Sequence, residues 1–168
     1  MKKISLLLIA LVSSFSAFSQ GKDVVDIAVG SADHTTLVAA VKAADLVATL
    51  KSEGPFTVFA PTNAAFDKLP EGTVANLLKP ENKAQLAKIL TYHVVSGNLD
   101  ASAVLDAIKK GDGKVVLTTV SGGKLTASLD MGKVKLTDEA GNSAFVTAAD
   151  LKGTNGVIHV IDSVVLPK

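Results

Sequence analysis

The chain of 168 residues is long enough for one domain with a substantial core, and its 17 lysines face 16 acidic residues, giving a net charge of +1. This balance removes the electrostatic case for binding nucleic acid or an anionic membrane, and the absence of arginine removes the side chain that usually grips phosphate. Cysteine is absent as well, which excludes thiol catalysis, disulfides and cysteine-based metal sites.

The first residues, 1–19, have the layout of a secretory signal peptide. Two lysines precede a nine-residue apolar run, and a short stretch of small and polar residues follows it. Cleavage before Gln20 places the small residues Ala17 and Ser19 at positions −3 and −1. The apolar run is too short to span a bilayer, which takes about 20 residues. We therefore predict an exported domain over residues 20–168, secreted to the outside or retained in a periplasm, without membrane insertion.

Apolar residues at helical spacing dominate the first half of the mature chain. One helix is predicted over residues 35–54 and another over residues 81–91, with a short apolar strand at residues 56–60 between them. The polar residues after this strand, around Thr62, are predicted to cap a helical turn. A further helix is predicted to begin at Asp100 or Ser102.

Beyond Gly113 the apolar residues recur at every second position, which is typical of strands with one exposed face. Residues 124–130 and 133–137 alternate in this way, and glycine-containing turns separate them, so an antiparallel meander is predicted. Residues 157–166 are almost continuously apolar, as in a strand covered on both faces. Helices followed by strands indicate an α+β fold.

Three segments of the mature chain match known motifs: residues 54–66 (GPFTVFAPTNAAF), 90–95 (LTYHVV) and 155–162 (NGVIHVID). In this order they resemble the fasciclin domain family of secreted adhesion modules. The resemblance spans roughly residues 23–167, which is the size of one complete domain. It implies an antiparallel, β-sandwich-like wedge with helices packed at its side.

The resemblance also implies adhesion without chemistry and without a cofactor. The implied partner is a cell-surface or matrix protein or a polysaccharide, with weak self-association as a further contact. In animal members, integrin contact is attributed to an Asp-Ile pair and to the Tyr-His motif. The corresponding residues here, Asp150, Leu151, Tyr92 and His93, are the candidate partner-binding residues, although the microbial type of leader argues against an integrin as the native partner.

Each candidate residue also has a structural interpretation. Tyr92 and His93 follow a helix, so they can form a buried, hydrogen-bonded pair at the junction of helix and sheet. Asp150 and Leu151 can be ordinary turn residues, or an exposed loop contact on a rigid scaffold. His159 lies in the most apolar segment and is predicted to be buried for structural reasons.

A second function remains open, because algal members of the family bind carotenoids. A carrier of an apolar small molecule such as a carotenoid or lipid requires an apolar cleft of at least ~300 Å³ between helices and sheet. Enzymatic activity is not predicted, since no residues fill the roles of nucleophile, base and oxyanion donor. The three histidines lack the close spacing of metal-binding motifs, so no metal site is predicted.

Overall fold

The computed structural model describes residues 21–168, and the predicted signal peptide over residues 1–19 lies outside this range. Its helices are α1 (Val24–Val29), α2 (Thr35–Ala43), α3 (Val47–Leu50), α4 (Asn63–Asp67), α5 (Thr73–Leu77), α6 (Lys83–Tyr92) and α7 (Ala101–Lys110). Its strands are β1 (Phe56–Pro61), β2 (Val94–Ser96), β3 (Lys114–Thr118), β4 (Lys124–Asp130), β5 (Lys133–Thr137), β6 (Ser143–Gly153) and β7 (Gly156–Ile161). Among the helices of this described part of the chain, none has the length and apolar character needed to cross a membrane.

Polar side chains cap two helices where the sequence predicts them. Thr62 Oγ1 accepts the Ala65 N–H at 3.2 Å to start α4, and Asp100 Oδ1 accepts the Ala103 N–H at 2.8 Å to start α7. Each bond satisfies an N–H group that the start of a helix leaves unpaired, which stabilises a helix by about 1 kcal/mol. The cap at Thr62 is confirmed, and Asp100 rather than Ser102 caps α7.

The single helix predicted over residues 35–54 is wrong, because the chain leaves helical geometry at Asp45. This residue has a φ of 60°, in the left-handed region that short polar side chains tolerate. The Leu46 N–H donates to the Val41 carbonyl and the Asp45 N–H to the Lys42 carbonyl, both at 3.1 Å. This is the bonding of a Schellman motif, which ends α2 and lets α3 begin in a new direction.

The seven strands form one sheet in the order β2-β1-β7-β6-β5-β4-β3. All neighbours are antiparallel except β1 and β7, which run parallel with Phe56 opposite Gly156. The two edges approach each other, since Val95 bridges Thr119 and the Val120 N–H donates to the Val94 carbonyl at 2.7 Å. The sheet is therefore a nearly closed wedge, and the antiparallel pairing that the resemblance implies holds for every neighbouring pair except β1 with β7.

The last strand is shorter than predicted. β7 ends at Ile161, whereas the apolar pattern predicts a strand over residues 157–166. The side chain of Asp162 then accepts the Phe145 N–H at 2.9 Å, and the chain leaves the sheet. The apolar residues that follow, Val164 and Val165, are buried without belonging to a strand, so apolar continuity here reflects core packing and not sheet pairing.

Two apolar clusters form the core. The first lies between the helices and the face formed by β1, β2 and β7, and it includes Leu37 and Ile158. The second fills the wedge beneath α7 and includes Ile108 and Leu125. Fully burying a side chain of this kind stabilises the fold by roughly 1.5–3 kcal/mol. The α+β class, with helices beside a wedge-shaped sheet, is confirmed.

Candidate functional site

Tyr92, the last residue of α6, is fully buried between the helix and the wedge. Its hydroxyl donates to the Lys124 carbonyl at 2.6 Å and accepts the Glu139 N–H at 3.2 Å. Burial raises the pKa of this phenol. Gly123 packs against the ring so closely that a Cβ there would lie 2.6 Å from a ring carbon. Tyr92 thus joins α6 to the start of β4 and to the loop between β5 and β6.

His93 follows directly and is also buried. Its Nδ1 lies 2.8 Å from the Ile89 carbonyl, to which it donates, and its Nε2 accepts the Val165 N–H at 3.2 Å. These partners assign the proton to Nδ1. Burial lowers the pKa of His93 to about 4, because the charged ring would lose its hydration. At neutral pH this uncharged ring holds the carboxy-terminal segment against α6.

Asp138 is a third buried polar residue, and it lies outside the motifs found in the sequence. Its carboxylate accepts the backbone N–H groups of Ala140, Asn142 and Leu166 at 2.8–3.0 Å, and the Asn142 side-chain amide at 3.0 Å. The aspartate in a turn between two strands suggests a local Asx bond. The hydrogen bond from the Leu166 N–H to Asp138 cannot be predicted from the residues near Asp138 in the sequence. His93 and Asp138 therefore hold two consecutive residues of the carboxy-terminal segment.

Asp150 and Leu151 lie where the pairing of β6 with β7 shifts register. Asp150 has a φ of 60°, and its side chain accepts the Ala101 N–H at 2.8 Å, so it helps to begin α7. Leu151 is 38% exposed. This bulged segment is held on a rigid sheet and still presents an apolar side chain to solvent.

His159 is buried beneath the same bulge, as predicted. Its Nε2 donates to the Leu99 carbonyl at 2.7 Å, its Nδ1 faces the Asp150 N–H at 3.4 Å, and its ring stacks on Phe59 with centroids 5.7 Å apart. The residue supports the backbone around Asp150. Within the described residues, three or more His, Asp or Glu side chains do not come together as a metal-binding group.

The four candidate residues do not form one site. Tyr92 and His93 lie at the end of α6, whereas Asp150 and Leu151 lie in β6, and within residues 21–168 no side-chain hydrogen bond joins the two pairs. Contact of Tyr92 and His93 with a partner stays a prediction, and the burial of both side chains counts against it. Asp150 and Leu151 are exposed, so a partner can reach both residues.

An apolar cleft of about 200 Å³ lies between α1, α2, α3 and the sheet. Its walls include Val25 and Val41 from the helices, and Val58 and Ile158 from the sheet. Lys42 and Val29 lie at its mouth, and the Val29 side chain is 55% exposed. The volume is smaller than the ~300 Å³ expected for a carrier of a carotenoid or lipid, so it does not favour that alternative.

Replacing Tyr92 by phenylalanine is expected to lower the free energy of unfolding by about 1–2 kcal/mol. The ring and its packing remain, but the Lys124 carbonyl and the Glu139 N–H lose the hydroxyl that joins them. Chemical denaturation of both proteins measures the difference. Thr126→Val on the solvent side of β4 is a matched control for loss of a hydroxyl, and an equal change in the two variants would contradict this role of Tyr92.

Comparison with known proteins identifies relatives along almost the whole chain. The model of the fasciclin domain matches residues 32–167. Protein sll1483 of Synechocystis sp. is 51% identical over 156 residues, covering 93% of this chain and 79% of that protein. Immunogenic protein MPB70 of Mycobacterium bovis is 38% identical over 138 residues, covering 79% of this chain and 63% of that protein.

Longer and structurally known proteins match as well. Transforming growth factor-beta-induced protein ig-h3 of Sus scrofa is 39% identical over 149 residues, covering 86% of this chain but only 19% of that protein. Among solved structures, the FAS1 domain pair of the insect cell adhesion molecule fasciclin I matches with a TM-score of 0.60 at 20% identity, covering 75% of this chain and 42% of that chain. At this identity the structural match supports the fold alone.

Proposed function

This chain belongs to the fasciclin domain family, and from that membership we propose that it is a secreted, non-enzymatic module that mediates adhesion at the cell surface or in extracellular matrix. Membership in the family is the observation that carries the proposal. The insect relative of the same fold is described as a cell adhesion molecule. The partner we propose is a cell-surface or matrix protein or a polysaccharide.

The proposed contact surface is the exposed part of the bulge in β6, centred on Leu151. β-Bulges often occur beside functional sites, because the extra residue changes the direction in which a side chain points. Asp150 and His159 hold the backbone of this bulge through hydrogen bonds to α7 and to Leu99. The backbone that carries Leu151 is thereby held in place, which lowers the entropy lost on contact.

Secretion makes a separate prediction about the mature amino terminus. Cleavage before Gln20 leaves a domain of residues 20–168, because only this cut places Ala17 and Ser19 in the small-residue positions. Intact-mass measurement of the protein recovered outside the cytoplasm is expected to give the mass of this species. A product that retains residues 1–19, or one held to cells by them, would contradict the proposed processing.

The contact surface is tested by attaching the protein to beads and counting their adhesion to cells of the producing organism. At one fixed density, Leu151→Ser is expected to reduce the bound beads several-fold, because the partner loses its apolar contact. Met131→Ser is the matched control, since Met131 is 90% exposed at the turn between β4 and β5. Equal adhesion of the two variants and the wild type would place the contact elsewhere on the domain.

A further inference from the structure

The apolar cleft between α1, α2, α3 and the sheet is too small for a carotenoid but large enough for a compact molecule. An engineered apolar cavity of about 150 Å³ in another protein binds benzene, so a cleft of about 200 Å³ accommodates one substituted ring or a chain of a few carbons. Lys42 lies exposed beside the cleft, whereas the other basic groups in its wall have partners. Lys51 binds Asp23 and Asp26 at 2.9 and 2.7 Å, and both ring nitrogens of His93 have partners.

His34 adds a polar group that lacks a partner. Its side chain is 95% buried, and its Nδ1 lies 2.8 Å from Ser31 Oγ. Its Nε2 is a buried polar atom without a hydrogen bond among the described residues. Leaving such an atom unpaired is unfavourable, so a partner is expected.

The void at His34 adjoins the cleft. Ala28, Ala60 and Ile158 line both spaces, and His34 lines only the void, which has a volume of about 20 Å³, enough for one hydroxyl group. The Ala60 carbonyl lies near the ring, but outside hydrogen-bond geometry with Nε2. Burial lowers the pKa of His34, so the ring is neutral at pH 7. The structure therefore offers an apolar chamber with one neutral, unpaired nitrogen beside it.

We propose that this cleft binds a compact apolar molecule that carries a single hydroxyl group, such as an alkyl-substituted phenol, with the hydroxyl bonded to His34 Nε2. A hydroxyl suits either tautomer of the histidine, because it both donates and accepts. The ring of the ligand lies against Val25, Val58 and Ile158. A molecule as long as a carotenoid does not fit.

The probes are 4-methylphenol and toluene, which share the methyl-substituted ring and differ by the hydroxyl group. Amide chemical shifts of the secreted protein are followed by NMR while each probe is added. We expect saturable shifts for both probes at residues that line the cleft. The preference for 4-methylphenol over toluene is expected to fall about 3–10-fold in His34→Phe, as for the loss of one neutral hydrogen bond.

Toluene binding also shows whether the cleft stays intact in His34→Phe. If His34→Phe does not fold, the same comparison is made with His34→Leu. Val47→Phe, at a half-buried position in the wall, is expected to weaken both probes together. Absence of saturable shifts with either probe would overturn the proposal. The proposal would also be overturned if wild type and the His34 variants showed the same preference for 4-methylphenol over toluene. A crystal structure grown with 4-methylphenol that shows only a single water molecule at His34 Nε2 would overturn it as well.

Discussion

Asp138→Ala is expected to lower the free energy of unfolding by roughly 3–4 kcal/mol, one of the largest effects of any single substitution in this domain. The carboxylate satisfies four N–H donors, and one of them, the Leu166 N–H, belongs to the carboxy-terminal segment. Truncation leaves these donors without their charged acceptor. Urea denaturation at pH 7.5 measures the loss.

Asp138→Asn distinguishes the bonds that Asp138 makes within its own turn from its bond to the carboxy-terminal segment. Its remaining oxygen can still accept the Ala140 and Asn142 N–H groups of the turn, whereas its amide presents a donor to the Leu166 N–H. Asp138→Asn is therefore expected to lower the free energy of unfolding by about half as much as Asp138→Ala. Asp106→Ala on the exposed side of α7 is the matched control for removing a carboxylate, and a loss there as large as at Asp138 would contradict the buried network.

Acidification is expected to destabilise the domain through His93. Its pKa is about 4 in the folded protein and 6.5 in the unfolded chain, so the unfolded state binds more protons between these values. The contribution of the uncharged His93 to the free energy of unfolding is therefore fully present above pH 6.5 and is lost as the pH falls toward 4. A difference of this size corresponds to on the order of 3 kcal/mol.

His93→Phe isolates this contribution from the titration of other groups. At pH 7.5 the variant is expected to be less stable than wild type by about 2–3 kcal/mol, because the Val165 N–H and the Ile89 carbonyl lose their partner. The gap is expected to narrow as the pH falls to 4.5, since only wild type must keep a buried imidazole uncharged. A gap that is constant from pH 7.5 to 4.5 would contradict a lowered pKa of His93.

Local features were the ones that the sequence could predict. The caps at Thr62 and Asp100 depend on residues three positions away, and the inward side of α6 follows from the spacing of Leu86, Ile89 and Leu90. The burial of His159 follows from the apolar residues on both sides of it in the chain. In each case the contacts that decide the structure lie close in sequence.

Contacts between distant parts of the chain could not be predicted in this way. The parallel pairing of β1 with β7 joins residues about 100 positions apart, and no alternation pattern distinguishes it from an antiparallel pair. The break at Asp45 depends on one left-handed residue inside an apolar pattern that continues past it. The bond from Asp138 to Leu166 requires the fold to bring the turn and the carboxy-terminal segment together.

The candidate site likewise combines features that the sequence predicts with features that only the fold shows. The Tyr-His motif was found from a resemblance of short segments, its position after a helix suggested a buried pair, and the fold shows that both side chains are buried. Asp150 was found in the same way, and its bond to the Ala101 N–H explains why an aspartate suits this position apart from any partner. Leu151 is the member of the set whose exposure leaves it free to contact another molecule.

Adhesion through a weak surface contact is tested by varying the density of the protein on beads. A contact that buries under ~1,200 Å² is weak as a single complex and gains strength from multivalency. Adhesion to cells of the producing organism is therefore expected to rise steeply with density, while the soluble protein competes poorly even in large excess. Adhesion that does not depend on density, or that a stoichiometric amount of soluble protein abolishes, would show that the contact is not weak and multivalent.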